Sequence, residues 1–127
     1  MALLLSPVLI LINDNNIVIG FRQKTDYFIA INPGASDINS QHPFNSSRLT
    51  VPAGSNVTWI DNDNTAVYHW IVSGDPNKGP SNIFYSNALR VGERFSFGFV
   101  TPGIYPFYDK NYPHMTGQIT VLENNTR

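Results

Sequence analysis

Residues Arg94–Phe99 read Arg, Phe, Ser, Phe, Gly, Phe. A period of two puts Phe95, Phe97 and Phe99 on one face of an extended strand and the charged or small residues on the other. One face therefore packs inward as a ladder of rings, and the other meets solvent. Shorter runs repeat the signal. Residues 27–31 are apolar and end at Asn32-Pro33-Gly34. Leu49 and Val51 precede the turn Pro52-Ala53-Gly54-Ser55. The strand around Val57 and Trp59 stops at Asp61-Asn62-Asp63-Asn64. Residues 66–72 are β-branched and aromatic and end at Ser73-Gly74-Asp75-Pro76. Thr101-Pro102-Gly103 turns the chain into 104–108, and 118–122 forms the last run. Residues 35–47, rich in Ser, Asn and Pro, read as a loop. No segment holds a helical period. Short strands about ten residues apart, with turn residues between them, predict an all-β sandwich or barrel.

The chain has 127 residues, which fits one domain, residues 27–123, with a polar tail at 124–127. Residues 1–26 stand apart. Within them, 3–12 form an apolar run too short to span a membrane, which takes about 20 residues. Two readings of this segment stay open. It is a remnant of an export signal or anchor, or it is an extra hairpin of Val8–Ile12 and Ile17–Phe21 around the polar turn 13–16. Sequons at Asn45-Ser46-Ser47, Asn56-Val57-Thr58 and Asn124-Asn125-Thr126 favour an extracytoplasmic setting. A net charge of -1 argues against nucleic acid as partner and against a polybasic membrane patch. Membrane association would come only through the N-terminal segment, where it is retained. We expect a monomer.

Cysteine is absent. No disulfide, thiolate nucleophile or Cys-ligated metal can form. The remaining ligand types are few. His69 enters the run Trp70-Ile71-Val72. His114 and Met115 lie in the tight loop 109–117 between two expected strands. Loops at one end of a sandwich can present several side chains to one point, and imidazole, carboxylate and thioether together suit copper better than calcium or magnesium. The bland reading of each residue stands beside that one. His69 can be a satisfied histidine at a strand start, and Asp109 a turn carboxylate capping nearby N–H groups. His114 can be a solvated loop residue, and Met115 a gap-filling thioether in the core. His42 reads as solvated. Trp70, next to His69, points to the opposite face of a regular strand.

The stretch from Leu49 to Leu122 resembles the small blue copper proteins, the cupredoxins of the plastocyanin and amicyanin type. The residues that carry the resemblance are Val51-Pro52-Ala53-Gly54-Ser55-Asn56-Val57-Thr58-Trp59, then Asn62-Asp63 and His69. They continue in Ser73-Gly74-Asp75, Pro102-Gly103-Ile104-Tyr105, Phe107-Tyr108 and Pro113-x-Met115-x-Gly117. The resemblance implies a Greek-key β-sandwich of about seven to eight strands with one copper near one end. It implies ligands of one His from the earlier loop and Cys, His and Met from the last loop. His69 matches the first His and Met115 the axial Met. The Cys position is Asp109, and the second His position is Tyr112, which we read as packed or hydrogen-bonded. His114, beside the Met, is a substitute ligand if Pro113 lets it turn inward.

These matches give an expected metal set of His69, Asp109, His114 and Met115 around one copper ion. A carboxylate in place of thiolate would favour Cu(II), lower the potential and give a pale type 2 site. The expected function is electron transfer, with a redox protein as partner, or copper handling. The alternative is a metal-free cupredoxin serving as a structural or recognition module. No Ser–His–Asp arrangement, carboxylate pair or phosphate-binding glycine loop argues for an enzyme.

Overall fold

The computed structural model describes residues 2–5, 8–12, 14–15, 17–21, 25–66 and 68–124. Three strands lie in the N-terminal segment: β1 (Ala2–Leu5), β2 (Val8–Ile12) and β3 (Ile17–Phe21). They pair antiparallel in that order, with Leu9 opposite Gly20 and Leu11 opposite Val18 across the turn.

Eight further strands make two sheets. They are β4 (Asp26–Ile31), β5 (Arg48–Pro52), β6 (Ser55–Asp61), β7 (Ile71–Asp75), β8 (Gly79–Tyr85), β9 (Arg94–Phe99), β10 (Gly103–Asp109) and β11 (Thr116–Leu122). One sheet runs β5-β11-β10-β7-β8 and the other β4-β6-β9. The pairs β5/β11 and β4/β6 are parallel, and the rest antiparallel. This is the Greek-key sandwich that the resemblance implies, and of the two architectures the turn spacing predicts, sandwich or barrel, it is the first.

The rings explain how the layers hold together. Arg94, Ser96 and Gly98 are exposed, Phe95 and Phe97 are half-buried, and Phe99 is buried. Trp59 of β6 is fully buried at the centre of the aromatic packing. Its ring centroid lies 5.3 Å from Phe84, 5.3 Å from Phe107 and 5.7 Å from Phe95. Burying one side chain of the size of Phe99 stabilises the fold by about 1.5–3 kcal/mol, and offset or edge-on ring pairs add about 0.5–1.5 kcal/mol. Gly117 is required by this packing: a Cβ there would meet the Phe107 ring, which closes over that position.

Two elements depart from the sequence expectation. The run 66–72 is not one strand. His69 makes a single bridge to Leu89, with both backbone hydrogen bonds at 2.8 Å, and β7 starts only at Ile71. The expected turn Ser73-Gly74-Asp75 is instead the second half of β7. Gly74, at φ +129°, lets β8 come close, since a Cβ would lie 2.5 Å from the Gly79 carbonyl oxygen. Strand β8 has no counterpart in the sequence reading. It is an edge strand in which only Phe84 is buried, and Pro80, Ser81 and Asn82 mask its alternation. A register shift between Val72 and Gly74 and a left-handed Asn82 at φ 63° accommodate it.

Candidate functional site

The β7/β10 register builds the site. Asp109, the last residue of β10, pairs with Ile71, and the Lys110 N–H donates to the Trp70 carbonyl at 2.8 Å. The end of β10 is thereby fixed beside His69, whose backbone is held by Leu89. His69 and Asp109 are both wholly buried. His69 Nδ1 lies 2.5 Å from Asp109 Oδ2, and His69 Nε2 lies 3.0 Å from Asp63 Oδ2. Both ring nitrogens therefore face carboxylate oxygens. An imidazole with acceptors on both sides donates twice only when protonated, so His69 is the cation of a buried Asp63–His69–Asp109 chain.

Each carboxylate is further tied down. Asp109 Oδ1 accepts the N–H groups of Asn111 at 2.8 Å and Tyr112 at 3.2 Å, and Oδ2 also receives the Trp70 N–H at 3.4 Å. Asp63 Oδ1 accepts from the Gly34 N–H, the Thr65 N–H and the Thr65 hydroxyl. Its Oδ2 accepts from the Ser36 N–H. The Asp63 N–H in turn donates to Asp61 Oδ1 at 2.8 Å.

These contacts set the charges. Burial alone would lower the His69 basicity, but the bonds to Asp109 and Asp63 and their negative charges raise it above the ordinary imidazole value. Burial alone would push the Asp63 carboxyl up, but donors from Thr65, Gly34 and His69 hold it well below the usual carboxylate range. Asp61 goes the other way. Burial raises it, against the Asp63 N–H and the His69 charge, and its Oδ2 has no partner among the described residues.

Copper needs free lone pairs, which this arrangement lacks. His69 has both nitrogens committed, and the two Asp109 oxygens take four N–H groups, as many as a carboxylate has lone-pair positions. Two metal bonds of about 2 Å meeting near a right angle would hold the donor atoms about 2.8 Å apart, wider than the His69–Asp109 contact. Among the described residues, no group of three or more His, Cys, Asp or Glu side chains is arranged to hold a metal ion. As arranged, the donor set does not fit copper.

The structure brings His69 and Asp109 into direct contact. Met115 follows closely by backbone, since the Asp109 N–H donates to its carbonyl at 3.0 Å, while its side chain is fully buried in the apolar core. His114 does not join them. It is half-buried, and its Nε2–H donates to the Ala35 carbonyl at 3.0 Å. Tyr112 packs its ring 5.3 Å from that of His69. His42 is exposed and lines a polar cavity of about 260 Å³ that His114 also borders. Asp63 and Asp61 are the site residues missing from the expected metal set: the sequence reads both as part of a strand-ending turn, and Asp63 also as part of the resemblance, without a role at the site. The available signal was two acids closing an apolar strand in a chain with only 13% charged residues, with Thr65 two positions after Asp63 as an internal donor.

No protein-family model and no curated protein sequence matches the chain. Solved structures do. A purple cupredoxin from Nitrosopumilus maritimus is 33% identical, with a TM-score of 0.69, and the match covers 76% of this chain and all of that one. A Cu(I) amicyanin variant is 18% identical, with a TM-score of 0.58, over 76% of this chain and 82% of its own. A reduced amicyanin variant is also 18% identical, with a TM-score of 0.59, over 79% and 85%.

Proposed function

The chain belongs to the cupredoxins, and we propose that it is a copper-free member in which a buried charge network takes over the closing of the ligand pole. The protein then acts as a non-catalytic binding module outside the cytoplasm. The single observation that carries this reading is the double engagement of His69, with Asp109 on one ring nitrogen and Asp63 on the other. An imidazolium held between carboxylates carries no electron, but it ties together the two loops that a shared metal would otherwise join. Asp63 draws in the 34–36 turn through Gly34 and Ser36, and Asp109 organises 111–112. The surface above the network is thereby held in one shape, as recognition requires. The sequons that begin at the exposed Asn45 and Asn124 support the extracytoplasmic setting, whereas the one at Asn56 lies within β6 beside buried Val57 and Thr58.

Titration of the purified full chain with Cu(II), followed by calorimetry and electron paramagnetic resonance, tests this. The expected result is no tight stoichiometric binding that depends on His69. A one-to-one Cu(II) site lost in His69→Ala overturns it. That outcome would favour the second reading, a copper carrier for electron transfer or copper handling through His69, Asp109, Met115 and His114. The 33% identity to the purple cupredoxin supports this alternative, which requires His69 to give up a hydrogen bond and His114 to leave Ala35. The double variant Asp109→Cys with Tyr112→His sharpens the contrast. It supplies the thiolate and second imidazole that the family resemblance calls for, and we expect it to bind copper with intense colour where the native chain does not.

A further inference from the structure

What the module binds is inferred from its surface, and the inference rests on the reading of the chain as a metal-free binding module. Beside the closed pole the surface opens into a cavity of about 380 Å³ lined by Tyr68, Trp70, Asn111 and Tyr112. Its rings are fixed in place. The Trp70 indole N–H donates to the Ser86 carbonyl at 2.7 Å, and the Trp70 ring meets Tyr68 edge-on at 6.4 Å and Tyr85 at 6.2 Å. Tyr112 rests against His69, so the buried network supports the cavity wall from below. Of the cavity's rings Tyr68 is 38% exposed and Trp70 and Tyr112 are half-buried, and the neighbouring Tyr85 is exposed as well.

Polar groups border the same surface. Lys110 Nζ lies 5.1 Å from the centre of the Trp70 ring and 5.4 Å from that of Tyr85. Among the described residues no carboxylate pairs with this ammonium, because the ion pairs they form both belong to His69. Nor does any hydrogen bond among the described residues engage the Tyr68, Tyr85 and Tyr112 hydroxyls or the Asn111 side-chain amide.

This combination selects a ligand chemistry. A purely apolar ligand would leave the hydroxyls, the amide and the ammonium without partners as it displaced their water. A cation would suit the ring faces but be repelled by Lys110. A nucleic acid needs several cations along its backbone and would find one here, on a chain of net charge -1. A pyranose offers a flat C–H face to a ring and equatorial hydroxyls to an amide or phenol, and a carboxylate on it supplies the counter-charge. We propose that the Tyr68–Trp70–Tyr112 cavity binds a uronate residue of an acidic polysaccharide, stacked on the rings with its carboxylate toward Lys110.

Calorimetric titration of the full chain with trigalacturonate, and with maltotriose as the uncharged comparison, tests the proposal at low and at physiological salt. The expected result is saturable one-site binding of trigalacturonate that weakens with salt and clearly exceeds that of maltotriose. Tyr68→Ala, at an exposed ring, should weaken it by about tenfold. Lys110→Gln should bring trigalacturonate down to the level of maltotriose and remove the salt dependence. The proposal is overturned by failure to bind trigalacturonate, by binding that Tyr68→Ala leaves intact, or by a Lys110→Gln effect equal for both sugars. The copper titration on the same preparation keeps the two readings apart. A His69-dependent copper site defeats the metal-free reading whatever the sugars do, and absent sugar binding with no copper uptake defeats only the ligand assignment.

Discussion

The ligand pole and the aromatic core beneath it are equally dry, yet they are held by opposite kinds of force. His69 and Trp59 are both fully buried. Around Trp59 the contacts are ring against ring, non-directional and graded by area, so the core gives way in proportion to the volume removed. Around His69 the contacts are directional and counted: two ring nitrogens, two carboxylates, and N–H groups filling the remaining oxygen positions. Such a network has no gradual failure. Removing one member leaves its partners charged and buried, and that penalty exceeds what the pair contributes when intact.

That difference can be broken or sharpened by experiment. The largest effect is expected for His69→Ala, which strands Asp63 and Asp109 without their cation. Chemical denaturation should show a loss of about 3–5 kcal/mol, and a loss under about 1 kcal/mol would mean the pole is not the stoichiometric network described. Next comes Asp63→Asn, which keeps the shape but removes one charge and one acceptor arrangement, expected at about 1–3 kcal/mol by the same measurement. A single methylene from the core, Ile119→Val, should cost only about 0.5–1.5 kcal/mol. If it costs as much as His69→Ala, the contrast between graded core and counted pole is lost.

The smallest effect is the dependence on pH. The folded-state basicity of His69 is raised, so its stabilising contribution is complete below the ordinary imidazole value of about 6.5 and fades as pH rises through the folded value. Asp63 is lowered, so its contribution is present above about 3.9 and is lost as pH falls toward its folded value. The network is therefore strongest between about pH 4 and 6.5. Melting temperature should decline on the alkaline side of that window in the native chain and much less in a His69→Leu variant. Equal alkaline slopes in the two proteins would remove His69 as the cause.

Much of the scaffold could be read along the chain. The Phe95-Phe97-Phe99 alternation, the turn at Pro52-Ala53-Gly54-Ser55 and the runs leading to Asp61 and Asp109 are local patterns, and local backbone preference settles them. Strand β8 escaped because an edge strand buries one residue in seven and carries Pro80 and Asn82, so its own sequence has no period to show. The extent of β7 escaped because Gly74 reads as a turn and serves instead as a point of close approach. At the site, His69 and Asp109 were legible through their loops and the family resemblance. The role of Asp63 was not, because beyond its local donor Thr65 the groups that tie it into the fold, Gly34 and Ser36, lie roughly thirty positions away.

The sequence by itself determined that no thiolate could exist here, that the chain would be a β-sandwich, and that an imidazole and a carboxylate would be offered at one end. Only the tertiary structure decided what those groups do with one another. Whether a ring nitrogen keeps its lone pair depends on which oxygens the sheet register carries to it from residues 6 and 40 positions away, and no local pattern encodes that distance. Once Asp63 and Asp109 arrive on either side of His69, the ring is held as a cation between buried opposite charges.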